Sequence, residues 1–322
     1  MNQHYTSDVE AIKGLVNSYQ KRRTEIGKVI VGQDEVVRDV LISIFSKGHC
    51  LLVGVPGLAK TLLVNTISQA LGLSFSRIQF TPDLMPSDIT GIEILDENRH
   101  FKFIKGPVFA NIILADEINR TPPKTQAALL EAMQERSVTV SGKRYELPNP
   151  FFVLATQNPI EQEGTYPLPE AQLDRFMFNV FLDYPSFEEE VLVVKNTTGD
   201  KIGKVEKVLE ENEIIFFQEL IRKIPVPDNV LHYAVGLTAK TRPGSENKSA
   251  MINDYVAWGA GPRASQFLVI GAKCHAAING KFSPDIEDVK AVAVPILRHR
   301  LVRNYKAEAD GVSVEKIIDS IL

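Results

Sequence analysis

Short apolar runs in the first half of the chain each end in glycine or in polar residues. The three clearest runs are residues 50–53 (CLLV), 112–115 (IILA) and 151–155 (FFVLA), and their length fits strands buried on both faces. Residues 74–80 alternate like a strand, and residues 62–71 have the apolar spacing of a helix. The first half is therefore predicted to alternate between strands and helices.

From residue 185 onward the pattern changes. Helical spacing continues to the end of the chain, first in a strongly acidic stretch and then between gaps rich in turn-forming residues. These gaps are residues 197–200, 241–246, 259–262 and 280–284. We therefore expect two domains, residues 1–190 with the predicted strands and residues 191–322, which are predicted to be all helical.

Two surface hairpins are predicted within the first domain. One covers residues 91–105 and turns at residues 96–99, and the other covers residues 137–147 and turns at residues 141–143. Residues 81–88 are rich in Pro, Asp and Ser and are predicted to form a loop ahead of the first hairpin.

The first apolar run leads directly into a glycine-containing turn, residues 54–61 (GVPGLAKT), which opens a predicted helix. Such a turn points several backbone N–H groups at one spot, and the helix N-terminus adds partial positive charge, so the spot suits phosphate oxygens. Lys60 supplies a full charge for the outer phosphates, and the Thr61 hydroxyl can bind Mg²⁺. A strand, turn and helix that contain these residue types by chance are the alternative. The residues predicted to contact nucleotide are Gly54, Val55, Pro56, Gly57, Leu58, Ala59, Lys60, Thr61 and Leu62.

Ala59 stands where the phosphate-loop pattern G-x-x-x-x-G-K-[ST] has its second glycine. A methyl group is tolerable at this position if the backbone has helical dihedral angles, but not if the position needs a positive φ. Whether the alanine is free of strain therefore depends on its backbone conformation, and the phosphate-loop interpretation has to be decided by the residues downstream.

Asp116 and Glu117 follow the second apolar run, where two adjacent carboxylates are costly unless something uses them. In a phosphate-loop fold we expect their strand to lie beside the strand that leads into Gly54. Asp116 would then hold Mg²⁺ through water, and Glu117 would polarise the water that attacks the γ-phosphate. A strand that exits into a polar turn is the alternative, but the phosphate loop about fifty-five residues upstream favours the functional interpretation.

Four further positions are candidates for the same site. Asn158 could position the attacking water or could make a turn before the next proline. Residues 31–33 could pack on a nucleotide base or simply connect two helices. Arg175 could act in a neighbouring subunit's site, with a surface pair to Asp174 as the alternative. Arg263 lies in the first turn of a predicted helix, where an unpaired cation is unfavourable unless an anion arrives.

Composition and charge exclude several classes of protein. The 322-residue chain has a net charge of −4, and no apolar run approaches the ~20 residues that a membrane span needs. Its polar N-terminus lacks the apolar segment of a signal peptide, and two cysteines cannot build a disulfide framework, so we expect a cytoplasmic protein. The negative charge weighs against nucleic acid as a partner.

Seven runs match one known family, and the match to that family covers nearly the whole chain. They are residues 54–61, 79–84 (QFTPDL), 106–109 (GPVF), 114–120 (LADEINR), 155–159 (ATQNP), 166–176 and 261–265 (GPRAS). Through these runs the chain resembles the MoxR group of AAA+ ATPases, in the clade with an insert after the second core helix. Alanine at position 59 is usual in that group.

The resemblance implies an α/β fold, with a phosphate-loop AAA+ core around a five-stranded parallel sheet and a small all-helical lid domain after it. ATP and Mg²⁺ would lie between core and lid. Val31, Gly32 and Gln33 would be near the adenine. Asn158 would be the first sensor, Arg263 the second sensor, and Arg175 the finger that enters the next subunit's site.

The resemblance also implies a ring, usually a hexamer, with both hairpins facing the pore. Proteins of this group commonly act beside partners with von Willebrand factor A domains and mature or remodel other protein complexes, so a chaperone-like role is expected. A nucleic-acid motor of the same clade is the alternative, since cations lie on or near the hairpins. They are Arg99, Lys102, Lys105, Lys143 and Arg144. A small-molecule kinase is a further rival, but Glu117 beside Asp116 suits attack by water.

Overall fold

The computed structural model describes residues 5, 7–160, 164–198, 211–244 and 249–322. The strands are β1 (Cys50–Val53), β2 (Phe75–Gln79), β3 (Gly91–Leu95), β4 (Phe101–Lys105), β5 (Ile112–Asp116), β6 (Ser137–Val140), β7 (Lys143–Glu146), β8 (Phe152–Gln157), β9 (Phe178–Phe181), β10 (Val256–Trp258) and β11 (Val302–Arg303). The helices are α1 (Asp8–Gly27), α2 (Asp34–Phe45), α3 (Lys60–Leu71), α4 (Pro86–Thr90), α5 (Pro123–Glu135), α6 (Glu170–Leu173), α7 (Phe187–Thr198), α8 (Glu211–Lys223), α9 (Asp228–Lys240), α10 (Ala250–Tyr255), α11 (Pro262–Ile278), α12 (Ile286–Leu297), α13 (Tyr305–Ala309) and α14 (Val314–Asp319).

Five parallel strands form the central sheet, in the order β2-β5-β8-β1-β9. The predicted five-stranded parallel sheet is confirmed. The expected neighbour of β1 is wrong, because β8 lies between β1 and β5. Ala155 of β8 pairs with Leu51 on one side and with Ala115 on the other. The apolar runs do not encode their order, since crossover helices allow a later strand to insert between two earlier ones.

Alternate residues of the central strands pack on opposite sides of the sheet. On one side, Cys50, Leu52 and Leu154 belong to a core shared with α1, α2, α3 and the helices of the second half. On the other side, Leu51 and Ala155 belong to a core shared with α5. The strands are therefore buried on both faces, as their uninterrupted apolar sequences predict.

The second half of the chain is helical, apart from one antiparallel pair, β10 with β11, in the part that the structure describes. The all-helical prediction is wrong for these residues, because strands this short show no periodicity. Helix α7 continues to Thr198, past the predicted start of a break at residue 197, and residues 199–200 lie outside the described ranges. Helix α11 packs against α1, α2, α8, α9 and α12, so the N-terminal helices share a core with this half.

Antiparallel hairpins occupy both predicted places, as β3 with β4 and β6 with β7. The rings of Phe103 and Tyr145 stack with their centroids 4.0 Å apart, and Lys143 Nζ lies 3.2 Å from Glu93 Oε1. The two hairpins therefore pack on each other. Phe101, at the tip of the first hairpin, is 72% exposed.

The loop predicted over residues 81–88 ends earlier than expected, because α4 begins at Pro86. Proline fits the first position of a helix, because an N–H group there has no acceptor within the helix and its absence costs no hydrogen bond. Asp88 Oδ2 accepts the Met85 N–H at 2.8 Å and closes this N-terminus.

Helix α5 connects the end of β5 to the second hairpin. At its start, Gln126 Nε2 donates to the carbonyls of Ile118 (3.2 Å) and Thr121 (3.1 Å). At its end, the Leu147 N–H donates to the Arg136 carbonyl at 3.0 Å. Both ends of the helix are therefore tied to the chain segments that adjoin them.

Candidate functional site

Six of the nine residues predicted to contact nucleotide and both predicted carboxylates line one cavity of about 330 Å³. It lies at the carboxyl ends of β1, β8 and β5. Its lining residues are Pro56, Gly57, Leu58, Ala59, Lys60, Thr61, Asp116, Glu117 and Asn158. Because parallel strands place their carboxyl ends on the same edge of a sheet, three separate segments meet there. Gly54, Val55 and Leu62 were predicted in the same group but do not line this cavity.

Lys60 is the first residue of α3, and its amine donates to the carbonyl of Gly54. This bond closes the phosphate loop over itself and keeps the ammonium group at the cavity. Gly57 has a φ of 89°, a conformation that glycine adopts readily.

Ala59 has φ 53° and ψ 29°, in the left-handed region. The condition for a tolerable alanine is therefore not met, because the backbone must turn from the loop into α3 at this residue. A non-glycine residue in this conformation stores strain of about 1–3 kcal/mol.

Both carboxylate oxygens of Asp116 have partners. Thr156 Oγ1 donates to Oδ1 at 2.6 Å, and Arg77 donates to Oδ2 through Nη2 at 2.6 Å and Nε at 3.1 Å. Thr156 Oγ1 also accepts the Glu117 N–H at 2.8 Å. The sequence analysis missed Arg77. No signal in the sequence identifies it, because only the register of β2 with β5, which pairs Arg77 with Leu114, brings it near Asp116.

The Glu117 carboxylate is held by one neutral donor, an amide, and one cationic donor, a guanidinium group, both from its own chain. Gln79 Nε2 donates to Oε2 at 2.9 Å, and Arg120 Nε lies 3.2 Å from the same oxygen. Glu117 has a φ of 57°, so the chain turns sharply where β5 ends. Both of these contacts are to Oε2, so neither of them prevents Oε1 from accepting a proton from water.

Asn158 makes the local turn that was one of the two alternatives for it, and its amide nitrogen remains available for the other. Its Oδ1 accepts the Ile160 N–H at 3.1 Å, which makes the local turn. Its Nδ2 is buried and has no hydrogen-bond partner in the described part of the chain. A buried amide donor without a partner is unfavourable, and a phosphate oxygen in the cavity would satisfy it.

A second, more apolar cavity of about 160 Å³ adjoins the first and shares Gly57, Leu58 and Ala59 with it. Val31 and Gln33 line this cavity, whereas Gly32 does not. The remaining lining residues are Val29, Ile30, Leu62, Pro185, Val193, Asn196 and Thr197. Apolar walls beside a phosphate-binding loop suit a nucleotide base.

The two predicted arginines lie outside the lining of both cavities. Arg263, in the first turn of α11, donates to Asp174 Oδ2 at 2.9 Å. Arg175 is half-buried, and within the described ranges no hydrogen bond or ion pair involves its side chain. Asp174 pairs with Arg263 and Arg300, so the alternative pairing of Asp174 with Arg175 is not formed.

Residues 49–178 match the protein-family model described as "ATPase family associated with various cellular activities (AAA)", and residues 248–321 match the AAA lid domain. The chain is 43% identical to "Chaperone MoxR1" of Mycobacterium tuberculosis over 97% of this chain and 83% of that protein. The chain belongs to the MoxR-type AAA+ ATPases. It is also 40% identical to "Uncharacterized protein YeaC" of Bacillus subtilis over 99% of this chain and 95% of the relative.

A crystal structure of a candidate ATPase from Cytophaga hutchinsonii superposes on this MoxR-type chain with a TM-score of 0.91. The two are 45% identical, and the match covers 97% of this chain and 95% of the other. The predicted AAA+ core with a following lid is therefore confirmed, and the chain is an ATPase. No helix in the described ranges is long and apolar enough to cross a membrane.

The oxygen donors of this MoxR-type cavity fit Mg²⁺ bound together with nucleotide. Thr61 and Asp116 both line the cavity, and the described residues contain no group of three or more His, Cys, Asp or Glu that could hold a metal ion. Mg²⁺ in ATPases usually takes one or two protein oxygens and completes its shell with phosphate oxygens and water. A hydroxyl and one carboxylate are therefore a sufficient donor set.

Proposed function

We propose that the chain is a Mg²⁺-dependent, ring-forming ATPase that uses ATP hydrolysis to remodel or mature other protein complexes. The observation that carries this proposal is the meeting of Lys60, Thr61, Asp116, Glu117 and Asn158 around one cavity. A cation, a metal-binding hydroxyl, two carboxylates and an unpaired amide are the groups that hydrolysis of a triphosphate requires.

Each of these residues has a role that its present contacts support. The loop N–H groups and Lys60 would bind the phosphates, with Lys60 exchanging the Gly54 carbonyl for a phosphate oxygen. Thr61 and Asp116 would hold Mg²⁺, which when bound neutralises charge on the phosphates. Glu117 would accept a proton from the attacking water, and Asn158 Nδ2 would donate to the γ-phosphate or to that water.

The two arginines support a ring. Arg175 has a charged side chain without a partner among the described residues, and it does not line the cavity of its own subunit. We assign it to the site of the next subunit, where it would stabilise charge on the transferred phosphoryl group. Arg263 would reach the nucleotide of its own subunit from the lid after leaving Asp174.

The remodelling role rests on surface chemistry and on relatives. The first hairpin exposes Ile92, Leu95 and Phe101, which suit contact with protein. Lys143 and Arg144 of the second hairpin are paired with carboxylates, and the net charge is −4, so a nucleic-acid motor is less well supported. A hexameric ring and a partner with a von Willebrand factor A domain belong to this proposal.

The test is release of phosphate from ATP by the purified chain, with Mg²⁺ and with a chelator, in wild type and Glu117→Gln. Loss of the general base should lower turnover by about 10²–10⁴-fold while ATP remains bound. Glu131→Gln, an exposed carboxylate on α5, is the matched control and should be unaffected. Turnover near wild type in Glu117→Gln would remove Glu117 from this role.

The assembly and client are tested with the same variant. Light scattering with ATP should detect a ring, and the Glu117→Gln form should retain client and partner proteins in a pull-down. Tight binding to DNA that weakens steeply with salt would instead favour the nucleic-acid motor.

A further inference from the structure

Arg300, which lies after α12, is the most fully bonded arginine near the site. Its side chain is 2% exposed, and its Nε donates to Asp174 Oδ1 at 2.7 Å. Its Nη2 donates to the carbonyls of Asp174 (2.9 Å) and Phe176 (2.6 Å). Its Nη1 donates to the carbonyls of Met177 (3.3 Å) and Ile296. A lid arginine thus spans the core segment at residues 174–177.

The same nitrogen of Arg300 bonds the carbonyls on both sides of Arg175. His299 adds a second lid contact, since its Nε2 donates to the Phe176 carbonyl at 3.0 Å. Burial lowers the pKa of His299 well below its usual value, so the ring stays neutral and Nε2 carries the proton for this bond. The backbone at Arg175 is therefore fixed from the lid, while its side chain keeps no partner in the described part of the chain.

Asp174 is shared between two lid arginines of very different exposure. Its Oδ1 faces Arg300, whose side chain is 2% exposed, and its Oδ2 faces Arg263, whose side chain is 42% exposed. An exposed ion pair is weak and easily exchanged, whereas a buried charge that loses its partner is strongly unfavourable. Arg263 can therefore leave Asp174 for a phosphate, because Arg300 still neutralises the carboxylate.

We propose that Arg300 is a positioning residue for Arg175, so that the lid of each subunit sets the geometry of the arginine presented to its neighbour. This inference rests on the proposed role of Arg175 as a finger acting between subunits. The lid would then act on two nucleotides. Arg263 would contact the nucleotide of its own subunit, and Arg300 would hold the core segment whose Arg175 acts on the nucleotide of the next subunit.

Mixed assemblies separate the two sides of each subunit contact. Subunits with Glu117→Gln keep their finger but do not hydrolyse ATP, and subunits with Arg175→Ala keep their site but lack the finger. Neither is active alone, and mixing them should restore phosphate release where a Glu117→Gln subunit serves an Arg175→Ala site. We call the first type donors and the second type acceptors.

Arg300→Lys is then placed in the donors or in the acceptors. Lysine keeps the charge but cannot reproduce the planar fork that reaches four carbonyls and a carboxylate. In donors it should lower the restored activity by about 10–100-fold, the usual effect of displacing a reacting group by about 1 Å. In acceptors, which have no finger to position, the loss should be at least about tenfold smaller.

The inference is tested by comparing the loss of restored phosphate release when Arg300→Lys is in the donors with the loss when it is in the acceptors. Equal losses in donors and acceptors would show that Arg300 only stabilises the fold, and no loss in donors would show that it does not position Arg175. Asp174→Asn keeps the carbonyl contacts of Arg300 but removes its charge partner, so it should give the same asymmetry together with a lower free energy of unfolding in both arms. If the parent donors and acceptors do not complement each other, the finger role of Arg175 is itself wrong.

Discussion

The phosphate cavity and the segment around Arg175 are organised in opposite ways. In the cavity, three charged groups proposed to act on nucleotide are held by partners from their own chain: Lys60 by Gly54, Asp116 by Arg77, and Glu117 by Gln79. Around Arg175, the carbonyls of Asp174 and Phe176 accept hydrogen bonds from Arg300, and the Arg175 side chain has no partner among the described residues.

The difference follows from where the ligand of each region is expected. A cavity that receives its ligand from solvent can keep its side chains ordered with temporary partners, provided that those contacts are weak enough to exchange. A side chain whose ligand lies on another subunit has no such partner within its own chain. Only its backbone can be positioned in advance, and buried hydrogen bonds serve that purpose.

The largest effect is expected from removing the Arg175 side chain, which tests whether this side chain acts outside its own subunit's cavity. Arg175→Ala should lower ATP turnover by about 10³-fold or more, because one arginine finger stabilises charge that develops only in the transition state. ATP binding should be nearly unchanged, since Arg175 does not line the cavity of its own subunit. Steady-state turnover and fluorescent-nucleotide binding measure the two effects separately.

Lys290→Ala is the control for loss of a cation that lines neither cavity, because Lys290 is paired only with Glu287 within the described ranges. It should leave turnover and binding unchanged. A parallel loss of ATP binding in Arg175→Ala would place Arg175 in its own subunit's site and remove the distinction between the two regions.

Removing Arg77, the partner of Asp116, tests whether the contacts in the cavity are exchangeable. Arg77→Met should lower the Mg²⁺ concentration needed for half-maximal activity, because Arg77 competes with the metal for Asp116. Arg77 is 47% exposed, and such pairs contribute about 0.2–1 kcal/mol, so the shift should be roughly 1.4–5-fold. A magnesium titration of turnover measures it.

Arg144→Met removes an exposed, ion-paired arginine from the second hairpin and should leave the magnesium requirement unchanged. An increased requirement in Arg77→Met would mean that Arg77 orients Asp116 for the metal. The partners in the cavity would then be permanent rather than exchangeable.

The smallest expected effect concerns the backbone of the cavity. Ala59→Gly should raise the free energy of unfolding without nucleotide by about 1 kcal/mol, because glycine adopts the left-handed conformation without steric strain. Ala127→Gly, at an exposed position in the right-handed α5, should lower it by about 1 kcal/mol. Urea denaturation of the two variants gives both signs, and a loss of stability in Ala59→Gly would contradict the strain.

The sequence was most informative where a chemical requirement acts on consecutive residues. The turn before Lys60, the carboxylates after β5 and the buried strands are local patterns, so they could be predicted together with the family. The insertion of β8 between β1 and β5 could not, because equally apolar strands do not specify their neighbours. The left-handed conformation of Ala59 is set by the path from loop to helix, which the residue type alone does not reveal.

The ion pairs that hold the site were also beyond the sequence. Arg77 and Asp116 are 39 residues apart, and Arg300 and Asp174 are 126 residues apart. An arginine on an alternating strand or after a helix is usually solvated, so neither position is unusual by its composition. Only the register of β2 with β5 and the packing of the lid on residues 174–177 identify them.

Helix α5 links the residues next to Glu117 to the two hairpins, so it can transmit force between them. Its 13 residues form a rod roughly 20 Å long, anchored through Gln126 beside Glu117 at one end and leading into the second hairpin at the other. Since Tyr145 stacks on Phe103, a load applied at the exposed tip of the first hairpin would pass along this rod. Force on this hairpin would thus reach the neighbourhood of Glu117, the proposed general base, without passing through the lid.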